Sequence, residues 1–129
     1  MPRKPSSRPT DTELAILRVL WKTGPSTVRS VHQRMAVDSP VGYTTVLKLL
    51  QIMTDKGLVR RDESSRAHVY EATSSRDQTQ RHLVGDLLDR AYEGSASRMV
   101  IQALEARPAS DEEVEEIRRL LDSYERGPS

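Results

Sequence analysis

A mostly α-helical fold with one small β-hairpin is predicted by three observations. Apolar residues recur at helical spacing on both sides of a short central stretch. That stretch, residues 58–72, reads as two short strands about a polar turn. Gly, Pro and Ser/Thr residues mark where one segment stops and the next begins. Three helices, a hairpin and then further helix is the order of a winged helix-turn-helix followed by C-terminal dimerisation helices.

The first ten residues hold three prolines and no apolar periodicity, and residues 1–9 are expected to form a disordered basic arm. Thr10 and Glu13 have the spacing of a capping box, in which the hydroxyl and the carboxylate each accept an early backbone N–H. Leu14, Leu17, Leu20 and Trp21 then form one helical face, and Gly24-Pro25 ends it. A second helix starts at Ser26 or Thr27, turns Val28, Val31 and Met35 inward, and breaks at Asp38-Ser39-Pro40. A third runs from about Gly42 to Lys56 with Val46, Leu49, Leu50 and Met53 on its apolar stripe, and Gly57 suits its C-terminal cap.

Leu58–Asp62 and Ala67–Ala72 are the predicted strands, with Glu63-Ser64-Ser65-Arg66 as their turn. From Ser75 the pattern is helical again. Leu83, Leu87 and Leu88 mark one segment, and Met99, Val100, Ala103 and Leu104 another that stops at Pro108. Ser110 and Glu113 form a second capping box before Val114, Ile117, Leu121 and Tyr124. The expected division is a winged-helix DNA-binding domain over 10–73 and a helical dimerisation region over 74–129.

Composition narrows the function classes. In 129 residues, 36% are hydrophobic and 30% charged, a polar balance for a self-contained globule, which suggests a core completed by a second chain. The absence of cysteine excludes disulfides, thiol catalysis, iron–sulfur clusters and thiolate metal sensing. No apolar run approaches the ~20 residues of a membrane span, and the N-terminus lacks a signal peptide's apolar stretch, so a soluble cytoplasmic protein is expected. The formal charge of +1 is unevenly spread. Residues 1–72 carry 12 Lys/Arg against 7 Asp/Glu, whereas residues 73–129 carry 8 against 12. Polyanion contact is therefore assigned to the front of the chain.

The third helix supplies the candidate contact surface. Opposite its apolar stripe stand Thr44, Thr45, Lys48 and Gln51, with Tyr43 at the helix start and no carboxylate before Asp55. Thr hydroxyls reach phosphates and the Thr methyl touches a thymine methyl, Gln suits adenine, and Lys suits guanine or phosphate. The hairpin adds Arg66 at the turn and His68. Arg60 and Arg61 alternate in direction, so only one of them is expected to face DNA. In the bland alternative these are a solvated helix face and a charged edge strand.

Catalysis finds little support. His32, His68 and His82 fall in different elements, and there is no phosphate-binding glycine loop or nucleophile elbow. The acidic run Asp111-Glu112-Glu113 with Glu115 and Glu116 is explained by its place at a helix start rather than by a metal. No cofactor and no metal is expected. Leu83, Leu87, Leu88, Met99, Val100, Leu104, Val114, Ile117, Leu121 and Tyr124 are assigned to a homodimer interface. The competing arrangement folds these helices back onto the winged domain of a monomer.

Taken together, Thr12-Glu13-Leu14-Ala15-Ile16-Leu17 with Leu20-Trp21, Tyr43-Thr44-Thr45-Val46-Leu47-Lys48-Leu49-Leu50 and Lys56-Gly57-Leu58-Val59 resemble a known family. So do Arg66-Ala67-His68-Val69-Tyr70 and the Gly94-Ser95-x4-Val100 region. This is the penicillinase-repressor (BlaI/MecI/CopY) family of bacterial winged-helix transcriptional regulators, and the resemblance spans about residues 10–125. It implies a homodimeric repressor on an inverted-repeat operator of double-stranded DNA with TACA/TGTA-like halves. It also implies that Thr45 is the recurrent recognition-helix threonine, flanked by Thr44 and Lys48. Two departures stand out. The C-terminal cysteines of copper-responsive members are missing. Where β-lactam-responsive members are cut at an Asn–Phe bond, this chain has Gln102-Ala103, the candidate site for a regulatory protease of different specificity. The competing function is a winged-helix protein–protein interaction module that does not bind DNA.

Overall fold

The computed structural model describes residues 8–127, so the basic arm assigned to residues 1–9 falls mostly outside the described residues. Among the described residues, six helices and three strands follow one another as α1 (Asp11–Thr23), β1 (Ser26–Thr27), α2 (Val28–Asp38), α3 (Tyr43–Lys56), β2 (Val59–Asp62), β3 (Val69–Ala72), α4 (Arg76–Ala91), α5 (Ala96–Ala106) and α6 (Asp111–Arg126). The fold is mostly α with a hairpin wing, a winged helix followed by C-terminal helices. The chain forms two compact units that divide between Leu83 and Val84.

Local chemistry sets the helix boundaries of the first unit. The Thr10 hydroxyl accepts from the Glu13 N–H at 3.2 Å, and the Glu13 carboxylate accepts from the Thr10 N–H at 2.8 Å, closing both halves of the capping box. At the other end of α1, Gly24 adopts φ 81° and ψ −167°, a conformation essentially restricted to glycine. Thr27 caps α2 by accepting from the Ser30 N–H, and Gly57 closes α3 in the left-handed region.

The sheet has one more strand than the sequence predicts. Ser26 and Thr27 pair antiparallel with Tyr70 and Val69, so β3 lies between β1 and β2. A two-residue strand carries no alternation and is invisible to pattern reading. The hairpin strands are also shorter than predicted: Leu58, Ala67 and His68 lie outside them. Register places Arg60 opposite Glu71 and Arg61 opposite Tyr70.

The core is aliphatic around one buried aromatic ring, Tyr70, with Ile16, Leu17, Val31, Val46, Leu50 and Met53 fully enclosed. The face of α1 is rotated from the predicted one. Leu14 and Trp21 are only half-buried, while Ala15, Ile16 and Glu13 are buried. Glu13 is tolerated there because Lys56 Nζ, from the last turn of α3, reaches its carboxylate at 2.7 Å. This ion pair ties the start of α1 to the end of α3.

The second unit contains the end of α4 with α5 and α6. Glu93 at φ 51° and Gly94 at φ 81° make the turn after α4. Ser95 caps α5, and Ser110 with Glu113 forms the predicted capping box on α6. None of the three C-terminal helices holds a fully buried residue.

Candidate nucleic-acid interface

Helix α3 divides cleanly by face. Val46, Leu50 and Met53 anchor it in the core, and Tyr43, Thr44, Thr45, Lys48 and Gln51 are all exposed. Thr44, Lys48 and Gln51 lie at i, i+4 and i+7, a single outward strip with Thr45 beside it. Gly42 caps the helix without a side-chain hydrogen bond. At the same end, the Tyr43 ring meets the His32 ring of α2 edge-to-face, with centroids 5.8 Å apart and planes at 83°.

That contact shows which face of α2 looks toward the start of α3. Arg29, three residues before His32, shares the face, is exposed, and makes no ion pair with a described residue. Sequence reasoning did not single out Arg29. Its only sequence signal is the i, i+3 relation to His32, which acquires meaning once His32 is known to touch α3.

The wing is more self-satisfied than its arginine content suggests. Arg60 pairs across the sheet with Glu71 at 3.0 Å, and Arg61 pairs with Glu63 at 2.6 Å. Tyr70 and Glu63 both hold the Arg61 guanidinium further toward its charged form, Tyr70 contributing more. Asp62 is held below its ordinary 3.8 by hydrogen bonds from the Ser64 hydroxyl and backbone N–H, the latter at 2.9 Å. These contacts shape the turn. Arg66, at the exposed tip, has no ion pair among the described residues, and His68 is exposed just after it.

The remaining assigned residues lie elsewhere. Leu83 belongs to the first unit, where it is half-buried. Leu88, Met99, Val114 and Ile117 are half-buried in the second unit, while Leu87, Val100, Leu104, Leu121 and Tyr124 are exposed. Gln102 and Ala103 are exposed within α5. His32 lies in α2, His68 in the wing turn and His82 in α4, and no group of three His, Asp or Glu side chains among the described residues is placed to hold a cation. No helix of the described residues is long and apolar enough to cross a membrane.

Comparison with known proteins places this arrangement. The penicillinase repressor family model matches residues 9–123. Transcriptional regulator BlaI of Mycobacterium tuberculosis, strain H37Rv, is 34% identical over 118 residues, covering 91% of this chain and 85% of that protein. The BlaI of strain CDC 1551 matches to the same extent. The penicillinase repressor of Bacillus licheniformis is 25% identical over 114 residues, covering 88% of this chain and 89% of its own. The match to the family model runs from the capping box of α1 into the last turns of α6, and the chain belongs to the penicillinase repressor family.

Proposed function

We propose that this protein is a homodimeric transcriptional repressor that places α3 in the major groove of an inverted-repeat operator. The observation that carries the reading is the two-faced chemistry of α3. Its buried face is locked by Val46, Leu50 and Met53, and its exposed face offers Thr44, Thr45, Lys48 and Gln51 with no carboxylate before Asp55 in the last turn. A rigid helix with that face matches both the groove's shape and its negative potential. Its relatives are named as a transcriptional regulator and a penicillinase repressor, which favours regulation of transcription over enzymatic work.

In this reading Thr45 and Gln51 touch base edges while Lys48 and Thr44 hold phosphate or base. Tyr43 and Arg29 flank the groove, and Arg66 and His68 extend contact along the backbone from the wing. Residues 10–73 form the reading domain and 74–129 the dimerisation region, acting in the cytoplasm. Support for the dimer is the unfinished burial of the C-terminal helices: Leu121 is 55% and Tyr124 76% exposed in the single chain. Packing two copies removes such apolar area from water at about 25 cal/mol per Å². No cofactor is needed for either step.

The test is a mobility shift of the DNA upstream of the gene and its neighbours, repeated across salt. A specific complex that weakens steeply as salt rises supports DNA reading. A protein that shifts none of these fragments at low salt is acting as an interaction module instead.

A further inference from the structure

Between α1 and the first turns of α4, wholly inside the first unit, lies an open cavity of about 520 Å³. Its apolar lining is Leu14, Trp21 and Leu83, and its charged lining is Arg18, Lys22 and Arg76, with no Asp or Glu among the lining residues. The apolar three are half-buried and the cations exposed. None of these cations forms an ion pair with a described residue, whereas Lys56, Arg60 and Arg61 of the same unit each do. Three like charges around one opening repel one another, and an anion seated among them relieves that repulsion.

The aromatic lining is held in place. Trp21 Nε1–H donates to the Ser74 carbonyl at 2.9 Å, so the ring's one polar atom is satisfied and its carbon surface is left to line the cavity. Inorganic anions alone make no use of Leu14, Trp21 and Leu83, and a neutral ring supplies no charge to neutralise the cations. A flat molecule with a carboxylate at one end uses both, since guanidinium groups take carboxylates with directed, charge-assisted hydrogen bonds. The volume lies within the usual range of small-molecule sites, roughly 300–1,000 Å³.

We propose that this cavity binds a small aromatic carboxylate, its ring against Trp21, Leu14 and Leu83 and its carboxylate among Arg18, Lys22 and Arg76. Trp21 is the only tryptophan in the chain, so the ¹⁵N-labelled full-length protein shows a single indole N–H resonance that reports on the site. Titrating it with indole-3-acetate is expected to move that resonance saturably with a Kd of about 1 mM, as typical ligand efficiency gives for a molecule of this size. The neutral indole-3-ethanol and plain acetate are expected to bind at least about fivefold more weakly. Lys22→Gln is expected to weaken indole-3-acetate by about threefold, in line with a single exposed charge, and Arg18→Gln with Arg76→Gln together by more. Arg34→Gln, in the groove between α1 and α2, is expected to leave the titration unchanged. The proposal is overturned by equal shifts with acetate or with indole-3-ethanol, by loss of binding in Arg34→Gln with none in Lys22→Gln, or by no saturable shift up to about 10 mM, well above that Kd.

Discussion

Lys48 and Thr45 sit on the same exposed strip of α3 but carry different kinds of information. Lysine acts chiefly as a charge that displaces counterions, so Lys48→Ala is expected to weaken binding across sequences and to reduce the salt slope by about one. Thr45→Val keeps the shape and removes the hydroxyl. It is expected to cost less overall and to change which base is preferred at one operator position, read by titrating single-base operator variants at matched salt. Glu13 makes a different prediction because it is enclosed. Lys56→Ala leaves that carboxylate without its charged partner and is expected to destabilise the fold by about 3 kcal/mol, the lower end for a broken buried pair. Lys56→Arg should retain most of the stability, both measured by urea unfolding. The α3 strip was legible in the sequence because helical period alone separates Val46, Leu50 and Met53 from Thr44, Lys48 and Gln51. The Glu13–Lys56 pair was not, because its members are 43 residues apart and Glu13 already had a local role in the capping box.

At the scale of elements, the caps and breaks were the strongest signals. Thr10 with Glu13, Gly57, and Ser110 with Glu113 mark helix ends where the structure has them, since each satisfies backbone groups locally. Pairings across the sheet were not readable: β1 is too short for a pattern, and the ion pairs of Arg60 and Arg61 depend on register and turn shape. The wing turn is also expected to respond to pH. Asp62 is held below 3.8 by Ser64, so its hydrogen bonds favour the folded turn above the unfolded value and are lost as pH falls through the lower folded one. NMR titration of the Asp62 carboxyl should show a midpoint below that ordinary value, and Ser64→Ala should return it upward. The proposed regulatory cleavage site falls in helix α5. Gln102 and Ala103 lie inside it, and a protease requires a locally opened backbone that a helix supplies only on unfolding. With no Asn–Phe pair at this position, β-lactam exposure of the host is expected to yield no fragment ending at Gln102, as judged by immunoblotting.

For the whole molecule, the basic front and acidic back of the chain suit the proposed division of labour, in which residues 10–73 read DNA and residues 74–129 hold two copies together. The first unit encloses its own core, including Ile16, Leu50 and Tyr70, so a fragment of residues 1–83 is expected to melt cooperatively and to sediment as a monomer. Losing the tether should lower its operator affinity by roughly 100- to 10,000-fold, because the second half-site contact is no longer intramolecular. Full-length protein should sediment as a dimer under the same conditions. The most direct measurement is selection of bound duplexes from a random DNA library by the full-length protein at low salt. Two-fold symmetry with one α3 per chain predicts enrichment of an inverted repeat whose half-sites lie about one helical turn apart or a multiple of it. An enriched lone half-site would contradict the dimeric reading, and a library that emerges without any enriched sequence would contradict DNA reading by α3 itself.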